Sequence, residues 1–193
     1  MIVAFTGAGI SRASGIPTFD EKPALRSALD RTYAKTFPGS YAAVIRDLAD
    51  ACRRAEPNSA HIKLAEYKIP TITMNIDGLH ERAILAAGGD LETLLEIHGS
   101  VFKDNVVLYG DRAPLYATAN DWIQKLRKGD YLLVVGTSYY TQISALLTTL
   151  ARAVGASVID INSCAEVEVP KFLESHTKDI GSFSVFKSRE LLF

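Results

Sequence analysis

Apolar residues along this chain fall into two alternating patterns. Short runs are β-branched or uniformly apolar: Ile2-Val3-Ala4-Phe5, Ile69-Pro70-Thr71-Ile72-Thr73, residues 91–97, Tyr131-Leu132-Leu133-Val134-Val135 and Ser157-Val158-Ile159-Asp160-Ile161. Runs of this length with little polar alternation predict strands covered on both faces, as in a parallel sheet. Between them, apolar residues recur three and four apart. The clearest such stretch is 41–55, with Val44, Ile45, Leu48, Ala49 and Cys52 on one side and Arg46, Asp47, Arg53 and Arg54 on a solvated face. Further helices are predicted over 24–34, over 60–67 behind a cap at Asn58 or Ser59, over 79–87, over 120–128 up to Gly129, and over 142–154. The tail from residue 170 predicts a short helix and a last edge strand.

Strands alternating with helices predict an α/β fold, a Rossmann-like doubly wound parallel sheet of about six strands with helices on both faces. At 193 residues the chain is expected to form one domain, 1–193, burying about 70% of its unfolded surface. Residues 20–56 read as a small helical lobe inserted after the first strand and turn.

In such sheets ligands lie at the carboxyl ends of the strands, and those ends carry the polar chemistry here. The first run opens into Gly7, Ala8, Gly9 and Ile10, a turn whose glycines let backbone come close to a ligand, with a helix N-terminus suited to a pyrophosphate. Two glycines alone serve equally well as a tight turn with no ligand. Asn75 and Asp77 follow the second run, and by themselves read as a turn and helix cap. His98 follows the third, Gly136, Thr137 and Ser138 the fourth, Asn162 and Ser163 the fifth. His61 and His80 sit among apolar positions and are expected to be hydrogen-bonded structural histidines.

Composition narrows the picture. A net charge of -1 gives no field favouring nucleic acid or an anionic membrane. No run approaches the roughly 18 apolar residues of a membrane span, and the first residues read as a strand and not as a signal peptide. Two cysteines, Cys52 and Cys164, are too few for a disulfide framework or a four-cysteine zinc site. Both are expected to be small core residues in a cytoplasmic protein.

The stretch Gly7-Ala8-Gly9-Ile10-Ser11-Arg12-Ala13-Ser14-Gly15-Ile16-Pro17-Thr18-Phe19 resembles the opening signature of the sirtuins, the NAD-dependent protein deacylases. The rest of the chain agrees in order. Asn75-Ile76-Asp77-Gly78-Leu79-His80 is similar to the sirtuin Asn-Ile-Asp segment, and Leu95-Glu96-Ile97-His98-Gly99-Ser100 to the segment with the catalytic histidine. Val106-Val107-Leu108-Tyr109-Gly110-Asp111 is similar to the strand that carries the peptide substrate. The resemblance implies the DHS-like sirtuin NAD-binding fold, with NAD as co-substrate. It implies cofactor contacts at Gly7, Ala8, Gly9, Ile10, Pro17, Thr18, Phe19, Asn75, Asp77, His98, Gly136, Thr137, Ser138, Asn162 and Ser163. Catalysis falls to His98, Asn75 and Asp77, and acyl-lysine peptide binding to Val106, Val107, Tyr109 and Gly110.

The departures are specific. The family's zinc-ribbon module after the catalytic histidine is replaced by Val101-Phe102-Lys103-Asp104-Asn105, so no zinc is expected. Asp20 stands where the family has arginine, and Met74 where it has glutamine. The segment after Ser138 runs Tyr139-Tyr140-Thr141-Gln142. The implied activity is NAD-dependent protein-lysine deacylation, which cleaves the nicotinamide–ribose bond and moves the acyl group to ADP-ribose. The alternatives are an NAD glycohydrolase or ADP-ribosyl transferase using the same pocket, or a non-catalytic NAD or ADP-ribose sensor.

Overall fold

The computed structural model describes residues 1–18, 20–138 and 141–186. Five parallel strands form one sheet in the order β3-β2-β1-β4-β5: β1 (Ile2–Thr6), β2 (Thr71–Thr73), β3 (Leu94–Glu96), β4 (Tyr131–Val135) and β5 (Ser157–Ile161). The chain winds outward from β1 in one direction through β2 and β3. It then returns to the other side of β1 for β4 and β5, so the switch point lies between β1 and β4.

The alternation of side chains along the central strands builds two cores. Val3, Phe5, Leu132 and Val134 face α6 (Tyr116–Gln124) and α7 (Gln142–Ala153). Ile2, Ala4, Leu133 and Val135 face α4 (Ser59–Glu66) and α8 (Ala165–Ser175). α5 (Leu79–Ala86) packs beside α4. Asn58 caps α4 by accepting from the Ala60 amide, and its Nδ2 donates to the Ile10 carbonyl 2.8 Å away, which ties the cap to the first turn. Residues 23–54 form α1 (Pro23–Ala28), α2 (Arg31–Thr36) and α3 (Pro38–Arg54).

Several expectations need correction. The first turn continues as a 3-10 helix, Ala8–Ser14. Residues 91–93 are also 3-10, which leaves β3 three residues long. Residues 106–110 form no sheet strand. Only an isolated bridge pairs Tyr109 with Asp30, because residues 29–31 capture this segment: Tyr109 N donates to Leu29 O and Arg31 N donates to Tyr109 O. The tail helix starts earlier than expected, at Ala165, and carries Pro170 inside it. The expected last strand does not appear in the tail up to residue 186, where 3-10 turns stand instead, and the remainder lies outside the described residues. Cys52 is buried as expected, but Cys164 is exposed at the start of α8 with a positive φ of 48°. No described helix is long and apolar enough to cross a membrane.

Candidate functional site

The loops after β1 and β4 are stitched together above the switch point. Gly7 N donates to Val135 O, and Gly9 N to Gly136 O, both at 2.9 Å. A Cβ on Gly9 would lie 2.6 Å from Gly136 Cα, and one on Gly7 would lie 2.8 Å from Gly136 O. Gly136 itself has φ +62°. These glycines are therefore required by apposition of the two backbones, and the amides of Gly7 and Gly9 bind protein carbonyls, not a ligand.

Two cavities open at this edge, of about 340 and 480 Å³. The smaller follows the switch point. Gly7, Ala8, Gly9, Thr18, Gly136, Thr137, Ser138 and Asn162 all line it, together with Asn75 and His98. Thr137 N donates to Asn162 Oδ1 at 3.1 Å, whereas its buried Oγ1 has no protein partner and offers a hydroxyl to an occupant. Arg26 from α1 is the one cation among the described lining residues, and Asp20 is a carboxylate on the same rim. The larger cavity is lined by Pro17, Asp77 and the predicted peptide residues Val106, Val107, Tyr109 and Gly110. Asn75, His98 and Tyr109 belong to both cavities. Ile10 is wholly buried in the core, and Ser163 is exposed beyond the lining of either cavity. Phe19 lies outside the described residues.

A buried polar network forms the floor. The Ser11 hydroxyl donates to Asp77 Oδ2 at 2.6 Å, and Asn75 Nδ2 donates to Ser11 Oγ at 3.1 Å. Asp77 Oδ1 accepts from Leu79 N at the start of α5. Burial raises the Asp77 pKa, and the bonds from Ser11, Leu79 and Asn75 pull it partly back. Beneath, Thr6 Oγ1 donates to Thr73 Oγ1 at 2.8 Å and bonds His80 Nε2 at 2.9 Å. His80 is pushed down to about 4 by burial, so it is neutral and structural at physiological pH. His61 packs edge-on against it and reaches Ser11 Oγ at 3.4 Å, with its Nδ1 unpartnered. Burial, then the neighbouring His80, holds its pKa well below the ordinary value.

His98 stands at the junction of the two cavities. Its Nδ1 is 3.2 Å from the Met74 carbonyl and its Nε2 is 2.8 Å from the Tyr116 hydroxyl. Burial lowers its pKa below 6.5 and the Met74 carbonyl opposes this, so the imidazole is neutral near pH 7 and can accept a proton. Cys52 also lines the larger cavity. Burial, with the Asp77 charge, pushes its thiol up to about 12, which removes it as a nucleophile.

The residues present do not fit a zinc site. Both cysteines are free, Cys52 buried and Cys164 exposed, and no group of three or more His, Cys, Asp or Glu side chains comes together among the described residues. Sequence reasoning missed Tyr116 and Arg26. Neither belongs to a motif, and only the fold brings them to the cavities.

Residues 7–103 match the Sir2 family. A curated relative from Archaeoglobus fulgidus, NAD-dependent protein deacylase 2, is 31% identical over 211 positions, covering 88% of this chain and 83% of its own length. The NAD-dependent protein deacylase of Aquifex aeolicus is 28% identical and covers 99% of this chain and 95% of its own length. That alignment runs to 234 positions against the 193 residues here, so the relative carries insertions that this chain lacks. A Sir2 homologue solved as an NAD complex shares the fold at a TM-score of 0.79 and 22% identity, over 93% of this chain and 90% of that one. With half its length matched and a relative above 30% identity, the chain belongs to the Sir2 family.

Proposed function

We propose that the protein is an NAD-dependent protein-lysine deacylase, of compact form and without a zinc module. The observation that carries this reading is that Asn75 and His98 face both cavities, with Asp77 beside them on the wall of the larger one. The smaller cavity suits a dinucleotide: it offers the orphaned Thr137 hydroxyl, several neutral polar groups and the Arg26 cation, with Asp20 as its one carboxylate among the described residues. The larger suits an acyl-lysine side chain, with His98 on the wall that it shares with the smaller. The alignments with relatives named deacylases support the same assignment.

Bound NAD supplies a sugar carbon from which nicotinamide departs and to which the acyl oxygen adds. The protein's part is to hold and to move protons. Asn75 is fixed from both sides, with its amide on Thr73 Oγ1 and its Nδ2 on Ser11, so it presents a rigid polar edge to the cavity. Asp77 would keep the carboxamide end of the cofactor in register. His98 would accept a hydroxyl proton at Nε2, a role that suits a neutral imidazole and is worth about 10²–10⁴ in rate. Residues 20–56 act in this reading as the lobe that closes the larger cavity.

One observation favours a second reading. Val107 N, Leu108 N and Tyr109 N are already bonded to His98 O, Asp111 Oδ2 and Leu29 O, which leaves less free edge for an extended peptide. Glycohydrolysis, with water in place of the acyl oxygen, would need no such edge. Nicotinamide release from NAD, measured with and without an acyl-lysine peptide, separates the two. Release that requires peptide is expected. Equal release without peptide overturns deacylation in favour of the hydrolase.

A further inference from the structure

No sequence motif marks Tyr116, the first residue of α6. Its hydroxyl lies 2.8 Å from His98 Nε2, while the two rings are 5.9 Å apart and tilted by 46°, so the phenol meets the imidazole through its oxygen and not by stacking. The other ring nitrogen fixes the sense of this bond. His98 Nδ1 faces the Met74 carbonyl, which can only accept. Nδ1 therefore carries the proton, Nε2 carries the lone pair, and the Tyr116 O–H donates to it.

We propose that Tyr116 is a positioning residue for His98. Its hydroxyl, set against the Met74 carbonyl on the far side of the ring, clamps the imidazole in the Nδ1–H tautomer. It keeps the Nε2 lone pair engaged until a substrate hydroxyl takes the phenol's place. The proposal rests on the reading of His98 as the base. Tyr116 stands on the wall of the larger cavity, while His98 faces both cavities, so the phenol reaches Nε2 from the acyl side. The ring is half-buried. The other titratable groups facing the same space are Arg26, Cys52, Asp77, Tyr109 and Asp111. The arrangement is that of an outer residue holding a reactive imidazole in one tautomer and one direction, a task usually given to a carboxylate or a carbonyl.

The test begins on ligand-free protein, by nitrogen-15 NMR of the four histidines, with His98 assigned through a His98→Gln variant. Wild-type His98 is expected as the Nδ1–H tautomer, with Nε2 at the shift of a hydrogen-bonded acceptor. In Tyr116→Phe the Nε2 resonance should move toward the unbonded value. The His98 titration midpoint should rise, because a donor to the unprotonated nitrogen has been lost. Peptide-dependent nicotinamide release should then lose about tenfold in kcat with the KM for NAD unchanged. An Nε2–H tautomer in the wild type overturns the proposal. So does a Tyr116→Phe variant whose Nε2 shift and midpoint are unaltered. Wild-type protein that shows the NMR signature but releases no nicotinamide would sustain the clamp and refute the deacylase reading.

Discussion

Replacing Ser11 with alanine removes the oxygen on which the floor of the site converges. The hydroxyl donates to Asp77 Oδ2 at 2.6 Å, accepts from Asn75 Nδ2 at 3.1 Å and lies 3.4 Å from His61 Nε2, with all four residues buried. Alanine keeps the Cβ, so the loss is of hydrogen bonds and not of packing. A bond to a buried carboxylate is worth about 1.5–3 kcal/mol, and an amide left unpaired costs about 1–3 kcal/mol, part of which relaxation recovers. A loss of about 3 kcal/mol near pH 7 is the expectation. The pH dependence is the sharper signature. Burial raises the Asp77 pKa and Ser11 is the largest influence opposing it, so the variant's Asp77 rises further. The cost of the substitution is smallest where Asp77 is protonated in both proteins. It grows as pH rises from the wild-type folded value to the variant's and is full above the latter. Urea unfolding of both proteins, from about pH 7 down to about pH 4, reads this directly. With a slope of about 2 kcal/mol/M the midpoint should fall by about 1.5 M at the upper end. A shift that is equal across the range, or nearly zero at neutral pH, would refute an ionised Asp77 held by Ser11.

Other outcomes follow from the same geometry. His98→Ala should reduce peptide-dependent turnover by about 10²–10⁴ and leave the affinity for ADP-ribose nearly unchanged, as separate activity and binding assays would show. Asp20→Asn removes a carboxylate from the rim of the smaller cavity and should tighten NAD about threefold at low salt, with the gain fading as salt is added; titrations at two ionic strengths check this. Gly9→Ala should lower stability by about 3 kcal/mol in denaturant unfolding, because its Cβ meets Gly136 backbone. Gly15→Ala, at φ +84° with open space around it, should lose only about 1 kcal/mol.

Most of the candidate site could be read from the sequence because its parts sit at strand ends. Gly7, Asn75, His98, Gly136 and Asn162 each follow an apolar run, and a parallel sheet gathers such positions on one edge without further information. The reason for the glycines could not be read that way. Gly9 and Gly136 lie far apart in sequence, and only the strand order makes their backbones neighbours. Residues 106–110 look like a strand by composition, yet Leu29 and Arg31 claim both backbone groups of Tyr109, a tertiary pairing that no local pattern encodes. Tyr116 is hidden for the same reason, since its bond to His98 spans 18 residues. Cys164 departs from the expectation because a cysteine near an apolar strand is usually interior, whereas here it is exposed in the turn into α8.

Calorimetric titration of the purified chain with ADP-ribose tests most directly whether the loops after β1 and β4 grip the dinucleotide. The account predicts one-to-one binding, weakened by Thr137→Val through loss of the orphaned hydroxyl and by Arg26→Ala through loss of the cation on the rim. Binding that neither substitution alters, or no binding at all, would contradict it.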